Sequence, residues 1–332
     1  MSLFGKRFQI GLDIGRYAVH GASVETSSGK AAVWRCELHP NRTGRDDQLS
    51  SDGLAESLAG CFESHENLLQ RSKKQIVLGI QGTPVMTGLL HLPKLSEEEL
   101  EMAVLSTVTR EVPFPIEGLE VSHLPVKPLE RGKTAVFYSA WRKVASSRIL
   151  DLVNACGLRP LRMETTGVAL ARELYRNRAL DPELFFAIVN IGFEVTQIVM
   201  VKGGYPYYLR DIPVGGRDIT HSVQVVSQVS WKEAEEVTQT LPLYELLHSS
   251  GPILNEIQYE IRRTFDYFCL NFPCDQVAGV FLSGGASLIP DLSDWMEDEL
   301  GVQVTVETWQ KLDGGDSIAP LYKVAVGLAL GQ

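Results

Sequence analysis

Ile10-Gly11-Leu12-Asp13-Ile14-Gly15, continued by Arg16-Tyr17-Ala18-Val19, is an apolar run that reaches an acid between glycines and then turns back. A buried strand ending this way can present a carboxylate beside exposed backbone N–H groups, the pairing that a phosphate and its magnesium ion require. Asp and Gly are favoured in any tight turn, so the stretch alone is also compatible with an ordinary hairpin.

Two later stretches change its weight. Phe185-Phe186-Ala187-Ile188-Val189-Asn190-Ile191-Gly192 repeats the strand-then-turn plan, with Asn190 lying 177 positions after Asp13. The segments Val195 to Val201 and Tyr205 to Ile212, joined at Gly203-Gly204, repeat the meander formed after the first turn by Gly21 to Glu25 and Ala31 to Cys36 across Ser27-Ser28-Gly29-Lys30. This duplication predicts two similar lobes facing each other across a cleft. The third stretch, Gly279 to Ser287, is again a buried strand that runs into Gly284-Gly285. Paired glycines after a strand also serve simple close packing.

A length of 332 residues allows one large domain or two moderate ones, and 44% apolar residues suffices for sizeable cores. The net charge of -10 argues against nonspecific nucleic-acid binding, and no basic run dominates any segment. The five cysteines, Cys36, Cys61, Cys156, Cys269 and Cys274, are scattered and odd in number. They are expected to be reduced thiols, with Cys269 and Cys274 as core residues and no metal motif among them. The N-terminal Met1 to Phe8 lacks the apolar core of a signal peptide. No apolar window is long enough to span a membrane, so membrane contact is expected through a partner.

Between the two turns, a polar stretch over Asn41 to Ser51 precedes a helix marked by Leu54, Leu58 and Phe62, with Ala55 and Ala59. Strands over Ile76 to Ile80 and Val85 to Leu92 flank Gly82-Thr83-Pro84. Ser96-Glu97-Glu98-Glu99 is a capping box opening a helix that Pro113 and Pro115 end. Leu119 to Val126 and Thr134 to Ala140 alternate as strands around Arg131-Gly132, so residues 76 to about 142 read as a small β-β-α-β-β unit. Helices follow over Val144 to Cys156 and Gly167 to Arg176, separated by a strand at Leu161 to Glu164. Later helices are expected over Ile219 to Ser227, Trp231 to Leu241, Ile253 to Leu270, Pro290 to Leu300 and Leu321 to Leu330. In the third of these Ile253, Ile257, Ile261, Phe265 and Phe268 form one stripe, read as core, with Arg262 and Arg263 on its solvated face.

Strand-Asp-Ile-Gly, strand-Asn-Ile-Gly and strand-Ser-Gly-Gly together resemble the three nucleotide-contacting segments of the actin-like ATPase fold shared by sugar kinases and actin. The chain is more closely similar to the PilM family of type IV pilus assembly, related to the cell-division protein FtsA. The matching signatures are Ile10 to Gly15, Leu92-Pro93-Lys94-Leu95-Ser96-Glu97-Glu98-Glu99-Leu100 with Val112-Pro113-Phe114, and Glu164 to Leu170. They continue with Arg210-Asp211-Ile212-Pro213-Val214-Gly215-Gly216-Arg217-Asp218-Ile219-Thr220, Glu260-Ile261-Arg262-Arg263, and Leu282 to Pro290.

The resemblance implies an α/β, two-lobed actin-like (ribonuclease H-like) ATPase fold with an inserted small α+β subdomain. The first lobe would occupy 1–184, with the inserted subdomain at about 76–142. The second would occupy 185–332, with a helical portion at about 215–274. Carried over residue by residue, it implies Asp13 and Gly15 as the first phosphate and magnesium turn, with Arg16 a phosphate contact or space filler. Asn190 and Gly192 would form the second turn, Glu235 would reach the ribose, and Gly284 with Gly285 would lie beside the adenosine of ATP or ADP. Two departures bear on activity. Asn190 stands where the family pattern has an acid, and Thr238 where it has a nucleotide-facing Lys. An amide in place of a carboxylate removes charge from a magnesium site, and phosphoryl transfer depends on that charge.

The implied function is that of a nucleotide-regulated cytoplasmic adaptor or scaffold at the inner face of the inner membrane, with hydrolysis not expected to be its main role. It would bind the cytoplasmic N-terminal segment of a PilN-like membrane protein, in a groove between the inserted subdomain and the first lobe, alongside other pilus or secretion platform components. The alternatives are an active Mg-ATPase driving pilus assembly and an actin-like filament-forming scaffold.

Overall fold

A computed structural model describes residues 8–25, 31–37, 51–72, 75–82, 85–112, 115–129, 133–308 and 318–331. The segment before Phe8, the turn at Ser27 to Lys30, the polar stretch 41–50, Thr83-Pro84, Pro113-Phe114 and Arg131-Gly132 lie outside them, as do the side chains of Leu54 and Ala55.

The opening stretch becomes β1 (Phe8–Ile14), and the chain returns through β2 (Ala18–Glu25) and β3 (Ala31–Glu37). Two helices, α1 (Ser51–Ser64) and α2 (Glu66–Arg71), then lead to β4 (Gln75–Ile80). A small layer follows, built from β5 (Val85–Pro93), α3 (Glu97–Glu111), β6 (Leu119–Leu129) and β7 (Lys133–Arg142). The chain continues through α4 (Lys143–Ala155), β8 (Arg159–Thr165) and α5 (Thr166–Asn177). The repeat opens with β9 (Phe186–Ile191), β10 (Thr196–Lys202) and β11 (Tyr205–Ile212). It is completed by α6 (Gly216–Ser227), α7 (Trp231–Thr240), α8 (Leu243–Asn271), β12 (Val280–Ser283), α9 (Leu292–Leu300), β13 (Val304–Val306) and α10 (Lys323–Ala329).

The two large sheets have the same plan. One runs β3-β2-β1-β4-β8 and the other β11-β10-β9-β12-β13. In each, the first three strands form an antiparallel meander and the last two join in parallel. The duplication seen in the sequence is therefore a duplication of sheet topology.

One strand belongs elsewhere than its spacing indicated. Gln75–Ile80, read as the first strand of the small unit, pairs in parallel with β1 and β8 inside the first sheet. Ile76, Val77 and Leu78 have no exposed surface, as a strand covered on both faces requires. The small layer is thus β-α-β-β, with sheet order β5-β7-β6. Its one face carries α3 through Leu100, Val104 and Val108. The other face, through Val126 and Phe137, rests on Val168 of α5 and Leu209 of β11. The Ser96 capping box forms as expected, its hydroxyl accepting from Glu99 N and the Glu99 carboxylate accepting from Ser96 N.

Between the two large sheets lie α5 and α10. Their shared core joins Val77 of the first sheet to Ile188, Val199 and Phe281 of the second through Leu170, Leu174, Val324 and Leu328. Although α10 follows the second repeat in the chain, it also packs on Ala22 and Val24 of β2. Gly327 permits the close crossing of the helices, since a Cβ there would overlap the carbonyl of Ala169. A buried charge cluster fastens the same layer. Lys323 lies against the Glu173 carboxylate and 3.3 Å from Glu307, which also accepts from Asn177 and Arg178.

The long apolar helix is α8, and its stripe is core: Ile257, Ile261 and Phe268 have no exposed surface, while Arg262 and Arg263 are exposed. It starts at Leu243, ten residues before the expected Ile253, and passes through Pro252. A proline inside a helix costs about 3 kcal/mol. Burial of Leu243, Leu246 and Leu254 offsets that at roughly 2 kcal/mol each, and Gly251 before the proline has no Cβ to clash with the ring. At the third glycine turn, Gly285–Leu288 forms a short 3-10 turn, so the following helix begins at Leu292 rather than Pro290.

The cysteines depart from the expectation of five thiols. Cys36 of β3 and Cys61 of α1 are joined by a disulfide, their Cα atoms 5.7 Å apart. Cys156, Cys269 and Cys274 are free, and the last two Sγ atoms lie 3.5 Å apart. The reason is tertiary: α1 crosses the edge of the first sheet beside β3, which the separation of 25 residues does not reveal. Among the described residues no helix is long and apolar enough to cross a membrane.

Candidate functional site

Both meanders end their first strand at the same place. Gly15 N donates to Ala18 O at 3.0 Å, and Gly192 N donates to Val195 O at 3.0 Å, the same bond one repeat later. The strand register also repeats, with Asp13 opposite His20 and Asn190 opposite Gln197. The turns approach each other across a cleft of about 1860 Å³. Asp13, Gly15, Arg16, Asn190, Gly192, Glu235, Gly284 and Gly285 all line it.

Among the side chains lining the cleft, Asp13 and His20 are the most shifted in their protonation. Burial raises the Asp13 carboxyl to about 6. Burial, reinforced by Arg35, lowers the His20 imidazole to about 4. Their closest atoms are 3.9 Å apart. An ion pair would move the two groups in the opposite directions, so burial dominates here and the imidazole is neutral near pH 7. His20 Nδ1 has no hydrogen-bond partner among the described residues.

Asn190 is used differently from its counterpart. Its Oδ1 accepts from Ser283 Oγ at 3.0 Å, tying β9 to the end of β12. Gly284 follows at φ +85°, a left-handed conformation, and a Cβ there would stand 2.9 Å from Asn190 Oδ1. Glycine is therefore demanded by the turn itself. A Cβ on Gly285 would meet nothing within 4 Å, which leaves an open cleft wall. On α7, Glu235, Thr238 and Gln239 share the face that borders the cleft. The Thr238 hydroxyl donates back to Ala234 O at 2.7 Å, so it offers no charge and no free donor in place of a Lys.

Arg16, expected at the phosphates or as a space filler, instead joins the lobes together with side chains that the sequence reading did not select. Arg16 Nε lies 3.4 Å from Glu194, which also accepts from Arg217 at 2.7 Å. The Tyr17 and Phe193 rings meet at 4.9 Å, and Arg35 lies over Tyr17 at 5.4 Å. At the cleft floor, Asp211 accepts from Gly82 N at 2.8 Å and from Gln197 at 2.9 Å, while Thr166 donates to Gln197 at 2.9 Å. His20 and Gln197 were within reach of the sequence, because each is the hairpin partner of a turn residue already singled out. The Arg16, Tyr17 and Asp211 contacts were not, since they need the distance between lobes.

The cleft sets five arginines against four carboxylates, Asp13, Asp151, Glu194 and Glu235, in a chain whose net charge is -10. An anion finds there a large concavity in which arginines outnumber acids. One carboxylate at the first turn suits a magnesium ion held mainly by its waters and a ligand's phosphates. The open face at Gly285 suits a flat ring. These residues fit a nucleotide with its metal, although Asn190 supplies no second charge.

Two matching α/β lobes, each ending a strand in a turn at one shared cleft and joined by crossing helices, define a protein of the actin-like fold. The PilM-PilN type IV pilus biogenesis complex contains a similar chain, with a TM-score of 0.78, 23% identity, and 98% of each chain covered. The ethanolamine utilization protein EutJ from Carboxydothermus hydrogenoformans matches with a TM-score of 0.61 and 15% identity over 99% of this chain and 91% of that one. MreB 5 of Spiroplasma citri bound to AMPPNP matches with a TM-score of 0.55 and 13% identity over 98% and 95%. The profile of the type IV pilus assembly protein PilM family matches residues 11–332, and the chain belongs to that family.

Proposed function

We propose that the chain is an adaptor of a type IV pilus assembly platform on the cytoplasmic face of the membrane. It binds the cytoplasmic segment of a PilN-like membrane protein, and its cleft holds an adenine nucleotide without rapid hydrolysis. The observation that carries the nucleotide part is the meeting of all three turns at one arginine-rich cleft whose second turn has an amide, Asn190, already bonded to Ser283. In it Asp13 would hold the magnesium through water, Glu235 the ribose, and Gly284 with Gly285 the base. Bound magnesium would neutralise phosphate charge. The AMPPNP recorded with MreB 5 supports the choice of ligand class.

The partner part is supported by the complex with which a similar chain was solved, of PilM and PilN. The groove we assign to this segment lies between the small layer and α4, where Met86, Arg142, Val144 and Arg148 line the cavity. Val144 is 54% exposed, an apolar side chain open to a partner. An extended segment seated there would combine main-chain hydrogen bonds with side-chain pockets.

Calorimetric titration of the full chain with ATP and magnesium, with phosphate release followed in parallel, tests the nucleotide part. Uptake of one nucleotide with release no faster than in Asp13→Ala is expected. Release that Asp13→Ala abolishes would replace the adaptor with an ATPase. A synthetic peptide of the partner's cytoplasmic segment tests the groove: Val144→Asp should weaken its binding at least about tenfold, or about 1.4 kcal/mol. Unchanged affinity would move the groove elsewhere.

A further inference from the structure

β3 is the outer strand of the first sheet, and Arg35 and Cys36 are neighbours on it with side chains on opposite faces. Arg35 reaches the cleft and covers the Tyr17 ring. Cys36 turns the other way, into the core beneath α1, where it is bonded to Cys61. His65, just beyond α1, completes the group. Its Nδ1 lies 2.9 Å from Cys61 O and 4.0 Å from Cys36 Sγ, and its ring stacks on Trp34 at 5.4 Å. A carbonyl oxygen only accepts, so Nδ1 carries a proton, and that N–H edge faces the Cys36 sulfur. Such an edge favours a thiolate over a thiol. Cys61 is buried and Cys36 half-buried, so Cys36 presents the sulfur that a solution thiol can attack. A core of this size does not depend on a staple, and three further cysteines remain free.

We propose that Cys36 and Cys61 are a reversible thiol pair, whose closure by a low-molecular-weight disulfide fixes the edge strand that carries Arg35 to the cleft. In closure the Cys36 thiolate attacks one sulfur of the small disulfide, a mixed disulfide forms, and one small thiolate leaves. The Cys61 thiolate then attacks the Cys36 sulfur and expels the second. The protein pair gives up two electrons, the small disulfide gains them, and the two protons from Cys36 and Cys61 end on the released small thiols. Opening is the reverse, beginning with attack of a small thiolate on Cys36. His65 is a positioning residue, holding its N–H edge toward the attacking sulfur.

The full chain is equilibrated in mixtures of reduced and oxidised glutathione, quenched in acid, alkylated and mapped by peptide mass. The expected result is a Cys36–Cys61 linkage that appears with oxidised glutathione and disappears with reduced glutathione, without unfolding. Backbone amides of residues 31–37 should exchange about tenfold faster in the open form. In Cys36→Ser, a half-buried site, the same amides should exchange at the open rate in every mixture. Closure should begin at lower pH in the native chain than in His65→Gln. Absence of the linkage at every ratio overturns the proposal, as does a linkage that native reduction does not open. So does zinc that copurifies one to one and releases both thiols on chelation, because Cys36, Cys61 and His65 could then be its ligands. Coincident pH profiles would remove His65 from the scheme, and equal exchange of β3 in both forms would remove the link to the cleft.

Discussion

Asp13 is a carboxyl held where ionisation is unfavourable. Its rise from 3.8 to about 6 corresponds to roughly 3 kcal/mol of differential stability. A carboxyl whose pKa is raised by folding favours the folded state while protonated. That contribution is complete below about 3.8 and is lost as the pH climbs through about 6. Asp13→Asn should therefore stabilise the chain at pH 7 by up to about 3 kcal/mol, with the advantage vanishing toward pH 4. Urea denaturation of both proteins across that range measures it. A residue that costs stability at a cleft fits a role with a ligand, since groups with shifted pKa values concentrate at functional sites. The sequence showed Asp13 at the end of an apolar strand. It did not show the neutral His20 beside it, nor that the Asn190 amide is held by Ser283, because both depend on packing across strands.

At the scale of elements, the helical layer between the sheets carries the tightest demands. Lys323 is 1% exposed and is held by Glu173 and Glu307, themselves buried. Truncating Lys323 leaves the buried Glu173 carboxylate without its cation, while Glu307 keeps Arg178, so Lys323→Ala should cost roughly 3–5 kcal/mol, read as a lower denaturation midpoint. Gly327→Ala should cost roughly 3 kcal/mol or prevent folding, because its Cβ would meet the backbone of α5 and backbone cannot step aside. Gly60, exposed within α1 with nothing near its Cβ site, gives the contrast. Gly60→Ala should raise stability by about 0.5–1 kcal/mol. Element types were legible because their causes are local: the alternation read at Leu119 to Val126 in β6, the Ser96 capping box, the apolar stripe of α8. The start of α8 was not, since Pro252 is an adverse local signal that burial along the whole helix overrides.

For the whole molecule, the two turns do more than border a cleft. Tyr17 against Phe193, and Arg16 and Arg217 on Glu194, join the lobes at its mouth, while Asp211 and Gly82 join them at its floor. The aromatic contact is worth roughly 1 kcal/mol beyond its buried area, and the Arg16 pair, largely exposed, adds less. Phe193→Ala should loosen the mouth and leave the floor intact. Small-angle scattering should then show a larger radius of gyration, and Trp231, whose ring lies 6.2 Å from Phe193, should change its emission. An unchanged scattering curve would place the closure in the helical layer and the floor contact of Asp211 with Gly82.

The sequence by itself determined the repeat: two strand-then-turn units 177 residues apart, a third glycine turn, and hence the fold and the candidate turns. These were readable because each rests on the order of neighbouring residues. Only the tertiary structure decided that Gln75–Ile80 belongs to the first sheet, that α10 lies between the sheets, that Cys36 meets Cys61, and that Arg16 faces Glu194. Each of these pairs residues distant in the chain, and their meeting depends on which faces must be buried together, which no local pattern encodes.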